Sequence, residues 1–124
     1  MKRVMQKLFT VLLFCLMLWP GAASAAAFLS VIEEVPLMDG FAEVPGSQVE
    51  FDSPQGRIAE VTAEGAVTQA ETEAFYNDTL PQLGWEKVAV SRFKREAETL
   101  DLTLERMGLY EVRIHFALKP APAE

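Results

Sequence analysis

One histidine, one cysteine and 18 carboxylates are the side chains from which this 124-residue chain would have to build chemistry. His115 lies in a run where Tyr110, Val112, Ile114 and Phe116 alternate with Glu111, Arg113 and His115. That period of two puts His115 on the polar side of a strand. A general base needs a nucleophile and an orienting group beside it. The expected neighbours of His115 are Thr99, Arg113 and Ala117, so it reads as a solvated strand residue. Zinc and copper sites need clusters of His and Cys, and none is available. Glu33, Glu34 and Asp39 lie close in sequence but lack the spacing of a calcium loop. Glu60, Glu64, Glu71 and Glu73 fall on outward strand positions and an exposed helix face, so they are read as surface charge, not an acid–base pair. No glycine-rich phosphate loop is present. Arg92, Lys94 and Arg95 flank Phe93, but three cations in a chain of net charge −7 do not make a nucleic-acid surface. Trp85 follows Gly84 at a helix-to-strand junction and is expected to close the core there. No catalytic, cofactor-binding or metal-ligating residue is assigned.

The first 25 residues explain part of this poverty. Lys2, Arg3 and Lys7 precede an uncharged run from Leu8 to Trp19. Pro20 and Gly21 end it, and Ala23-Ser24-Ala25 offers small residues for cleavage. This is the order of a secretory signal peptide. Twelve helical residues rise about 18 Å, short of a hydrocarbon core of about 30 Å, so a retained span is disfavoured. Cys15 lies in the run behind Phe14, which does not suit lipidation, and it leaves with the peptide. The mature chain then has no cysteine, and its stability must come from packing. Losing three cations makes it more acidic still, which favours solubility and disfavours nucleic acid and anionic lipid. A periplasmic location is expected.

The elements follow from pattern. Residues 26–47 read as an extended lead-in, punctuated by Pro36, Gly40, Pro45 and Gly46. Val35, Leu37, Met38 and Phe41 are expected to hold it to the domain. Residues 48–118 form one domain, and 119–124 a flexible tail. Val49 to Asp52 and Arg57 to Glu64 form a hairpin about Ser53-Pro54-Gln55-Gly56, where Pro and Gly suit a type I turn. Thr68 and Glu71 have the spacing of a capping box. Phe75, Tyr76, Leu80 and Leu83 then give a helical stripe. Pro81 should kink or tighten the helix end, and Gly84 should terminate it.

Trp85 to Leu118 reads as three strands in a meander. Phe93 is expected opposite Leu100, and Arg95 opposite Glu98, about a Glu96-Ala97 turn. Val88 and Val90 then have the wrong parity. A bulge near Ser91-Arg92 would correct them; otherwise they form an exposed apolar spot, the candidate contact surface. A three-residue loop of Arg106-Met107-Gly108 pairs Leu104 with Tyr110, Leu102 with Val112 and Leu100 with Ile114. The outer face then pairs Asp101 with Arg113 and Thr99 with His115. The resulting fold class is α+β: one helix packed on a mostly antiparallel sheet, in the order β-β-α-β-β-β.

Three stretches taken together resemble a known group: Val35-Pro36-Leu37-Met38-Asp39-Gly40-Phe41, then Phe75-Tyr76 through Leu80-Pro81 to Gly84-Trp85, then the closing hairpin. They are similar to small exported proteobacterial proteins with a Pro-x-x-x-Gly lead-in and an FY…LP..GW helix. Asp39 stands where that group usually has proline. No catalytic residue comes with the resemblance, which implies an exported domain. The layout is also similar to the helix-grip domains of outer-membrane assembly lipoproteins, a likeness of fold alone. Three functions are carried forward. The first is a non-enzymatic domain that contacts another envelope protein through an edge strand or through Val88 and Val90. The second is a binder of a small apolar ligand between helix and sheet, where Ala59 and Ala63 leave room. The third is an enzyme of unassigned class.

Overall fold

The computed structural model describes residues 27–122. The expected signal peptide, with Cys15, lies outside the described residues. The strands are β1 (Phe41–Glu43), β2 (Val49–Ser53), β3 (Gly56–Gly65), β4 (Glu86–Ala89), β5 (Arg92–Arg95), β6 (Glu98–Gly108) and β7 (Glu111–Pro120). Helix α1 (Gln69–Thr79) runs on into a 3₁₀ turn over Leu80–Leu83. The strands form one antiparallel sheet ordered β1-β3-β7-β6-β5-β4, with β2 also paired to β3. This is the α+β class expected, one helix against an antiparallel sheet.

The helix starts where its capping box dictates. Thr68 Oγ1 accepts from the Glu71 N–H at 3.1 Å, and Glu71 Oε2 accepts from the Thr68 N–H at 3.1 Å. Two donors that have no partner within the helix are thereby satisfied. Pro81 falls inside the 3₁₀ turn, which tightens the helix end, and Gly84 closes it at φ +92°. That left-handed conformation costs glycine little.

Alternation along the strands makes one apolar face. Ala59, Val61 and Ala63 of β3 pair with Leu118, Phe116 and Ile114 of β7, and all six are fully buried. Tyr76 of α1 packs on this face, its ring 5.5 Å from Phe116 in an edge-on arrangement. The lead-in covers the rest of it and belongs to the core. Leu29, Ile32 and Val35 are buried, and Leu37 and Met38 pack against them. Its distal end is the short strand β1.

β1 and β2 share one edge of β3, and a gap separates them. β2 pairs with Gly56–Glu60 and β1 with Ala63–Gly65, which leaves Val61 and Thr62 between. Ser47 occupies the gap. Its Oγ accepts from the Thr62 N–H at 3.2 Å, while the Val44 N–H donates to the Thr62 carbonyl at 2.8 Å. The ladder is thus completed by a side chain where no strand reaches.

The expected β-β-α-β-β-β order gains two short strands. One is β1. The other arises because the segment after Trp85 is a hairpin rather than a single strand. The chain turns at Val90-Ser91, Ser91 adopting φ +62°, and pairs Lys87 with Phe93. The bulge lies at Val88, between Lys87 and Ala89, and not near Ser91-Arg92. Phe93 opposite Leu100 and Arg95 opposite Glu98 are as expected.

The β6–β7 register is four residues along β7 from the one expected. Leu104 pairs with Ile114, Leu102 with Phe116 and Leu100 with Leu118. The hairpin turns at Leu109-Tyr110, with the irregularity at Met107, and Tyr110 is 67% exposed. A slip of four, being even, keeps every side chain on its face. It also places Phe116 and Leu118 opposite leucines, where the expected register set them against Glu98 and Glu96. On the outer face Asp101 lies opposite Ala117, and Thr99 opposite Lys119. The tail is ordered further than expected, since β7 includes Lys119 and Pro120 and the Ala121 N–H donates to the Ala97 carbonyl at 2.7 Å.

Candidate functional site

The outer face of the sheet carries most of the chain's polar chemistry. Arg113 sits between Glu64, at 2.7 Å, and Glu105, at 3.5 Å. Asp101 accepts from Arg92 Nε at 2.6 Å and from Lys119 Nζ at 3.3 Å. The Arg92 hydrogen bond, with Lys119 adding to it, holds the Asp101 carboxyl below the usual carboxylate range. These pairs lie on a half-exposed face, so each acts mainly to organise the surface.

His115 keeps Arg113 and Ala117 beside it along β7, but on β6 it faces Thr103 rather than Thr99. Thr62 on β3 is its cross-strand partner, with Thr62 Oγ1 and His115 Nδ1 2.9 Å apart, and Glu60 Oε2 is 3.9 Å from Nε2. The hydroxyl of Thr62, the imidazole of His115 and the carboxylate of Glu60 thus come together, a constellation invisible before the β3–β7 register is known. The carboxylate lies beyond hydrogen-bonding distance, and the three side chains stand on a pleated surface rather than in a cleft. Nothing there orients a base or receives a developing oxyanion. Among the described residues no group of three or more His, Cys, Asp or Glu could hold a metal ion.

Trp85 is buried as expected. Its indole N–H donates to the Glu34 carbonyl at 3.2 Å, and the Arg95 guanidinium lies 5.9 Å from the ring centroid. Arg57 closes the same end of the inner face by binding both Glu34, at 3.2 Å, and Glu98, at 3.3 Å. Partial burial opposes its charge, but the two carboxylates outweigh that and raise its pKa.

Val88 and Val90 are both exposed, at 51% and 90%, but they do not form one patch. Val88 lines a shallow groove with Arg92, Lys94, Thr99, Lys119 and Pro122. Val90 lines a half-open cleft of about 150 Å³ on the other side of the β4–β5 hairpin. Tyr76 and Phe93, with Leu102 and Leu104, line that cleft, and Asn77 and Lys87 stand at it, bonded to each other at 3.1 Å. It is the cavity between helix and sheet that an apolar ligand would need. It does not lie over Ala59 and Ala63, which are sealed in the core.

The two ends of the sheet differ. β4 is four residues long, bulged and marked by Lys87, the features that blunt an edge against further pairing. β2 has five residues in regular register with β3 and no bulge. Among the described residues its second edge pairs with no strand. Val49 and Phe51 project from it on the outer side, 43% and 51% exposed, beside Ile58. Glu50 and Asp52 project on the other side, and neither makes an ion pair or hydrogen bond among the described residues. The sequence shows the alternation of β2; only the topology shows that it lies at an edge.

No protein-family model, curated protein or solved structure matches the chain.

Proposed function

We propose that this chain is an exported, non-enzymatic binding module that holds an extended segment of another envelope polypeptide along β2. The observation that carries the reading is the state of that strand: regular, open along its second edge, and exposing two apolar side chains on one face. Strand addition to such an edge takes its affinity from main-chain hydrogen bonds and its selectivity from alternate side chains. The signal-peptide pattern of residues 1–25 and the resemblance to small exported proteobacterial proteins support an envelope location. The test is a photo-crosslinking residue at position 49, with position 82 on the opposite face as control, in cells that export the protein. An adduct of discrete mass from position 49, reduced when Phe51 is replaced by Asp, is expected. Identical patterns from both positions would refute the reading.

A second reading, the binder of a small apolar ligand, is favoured by the cleft beneath Tyr76. Its volume of about 150 Å³ matches a single benzene-sized group and falls below the roughly 300 Å³ of most ligand pockets. Titration with benzene, followed at the methyl groups of Leu102 and Leu104, tests it. Unmoved resonances at saturating benzene would dismiss it.

A further inference from the structure

We infer that the segment received by β2 is basic at alternate positions, and that Glu50 and Asp52 are the selecting residues. The inference rests on the strand-addition reading above and goes beyond it by giving the chemistry of the partner. Side chains alternate across a strand, so an added strand would set one series beside Val49 and Phe51 and the other beside Glu50 and Asp52. The first series must be apolar to cover the exposed Val49 and Phe51. The second faces two carboxylates that have no cation of their own. Arg57, the cross-strand partner of Asp52, is engaged by Glu34 and Glu98. By contrast, Glu64 and Glu105 share Arg113, and Asp101 is held by Arg92 and Lys119. Glu50 and Asp52 thus stand as two unanswered carboxylates on one side of the open edge.

The same charges argue against a second copy of this chain as the occupant. Two β2 strands paired antiparallel about Phe51 would set Glu50 of each copy against Asp52 of the other. Four carboxylates would then crowd one face, and like charges directly opposite destabilise a pair. Glu50 and Asp52 therefore exclude self-pairing and admit a strand that alternates valine-like residues with lysine or arginine.

The experiment uses the purified protein and two seven-residue peptides, one alternating Val with Lys and one alternating Val with Glu. Amide hydrogen exchange at residues 49–53 is the readout. The Val-Lys peptide is expected to slow exchange there several-fold, less so as salt is added, and the Val-Glu peptide to leave it unchanged. The double variant Glu50→Lys/Asp52→Lys is expected to reverse that preference. Equal effects of the two peptides, or protection that falls on β4 instead, would overturn the inference. A second measurement is independent of any peptide: Glu50→Gln/Asp52→Gln should self-associate more strongly than the parent in sedimentation, and unchanged association would count against the selecting role. The outcomes also separate the two readings. A position-49 adduct that the Val-Lys peptide fails to displace defeats the basic partner and leaves strand addition standing; absence of the adduct defeats both.

Discussion

The Tyr76 hydroxyl donates to the Pro36 carbonyl at 2.9 Å and accepts from the Met38 N–H at 3.3 Å. One buried phenol thus joins the helix to the lead-in 40 residues upstream. Burial raises its pKa far above the ordinary tyrosine value, so it stays neutral. Replacing Tyr76 by Phe would leave both backbone groups without that partner. A loss of about 1–3 kcal/mol is expected in chemical denaturation, with faster amide exchange at residues 36–38. Unchanged stability would show that the lead-in is held by Leu29, Ile32 and Val35 alone.

Ser47 fills the break in the ladder between β1 and β2. Ser47→Ala removes the acceptor for the Thr62 N–H and is expected to cost about 1–2 kcal/mol. Ser47→Thr, which retains the hydroxyl, should recover part of it. Equal losses in the two variants would mean that the hydroxyl contributes nothing at that gap.

Gly65 is the cross-strand partner of Phe41, and a Cβ placed on it would lie 2.8 Å from the ring and 2.9 Å from the Gly40 carbonyl oxygen. Gly65→Ala should therefore displace β1 and destabilise the domain by about 1–3 kcal/mol. Gly46→Ala is a useful comparison, because its Cβ would meet nothing within 4 Å and only its φ of +80° opposes it. Thermal melts of the two variants should separate clash from backbone strain.

Asp101 gives the fold a pH dependence. Its carboxyl is held below the usual range in the folded state, chiefly by Arg92. The stabilisation is therefore complete above the unfolded value, near pH 4, and is lost as pH falls through the lower folded value. Asp101→Asn should lower stability at pH 7 by less than about 1 kcal/mol, because solvent screens the pair. The gap between parent and variant should close below about pH 4 and narrow in high salt. A gap that persists at pH 2 would contradict the ion-pair origin.

Much of the architecture was legible from local chemistry. The capping box of Thr68 and Glu71, the stop at Gly84 and the turn at Pro54-Gln55 act within a few residues, so their consequences do not depend on the rest of the chain. Burial of Trp85 and the placement of Phe93 against Leu100 were legible for a similar reason. The split of β4 from β5 was not, because Ser91 has to enter a left-handed conformation that its residue type does not announce. Nor was the approach of Thr62 to His115, which joins strands 53 residues apart in sequence. The candidate edge was half legible: Val49 and Phe51 alternate plainly with Glu50 and Asp52, but nothing local says which strand is left without a neighbour.

By itself the sequence determined which side chains share a face, because a pleated strand repeats every two residues and alternation reads that repeat directly. Tertiary structure decided the absolute pairing. Leu104 can face Tyr110 or Ile114 without changing the inner face, and only the burial of Phe116 and Leu118 against Leu102 and Leu100 distinguishes the two. It also decided which strands end the sheet, since an edge is defined by the absence of a neighbour and that is a property of the whole assembly of strands.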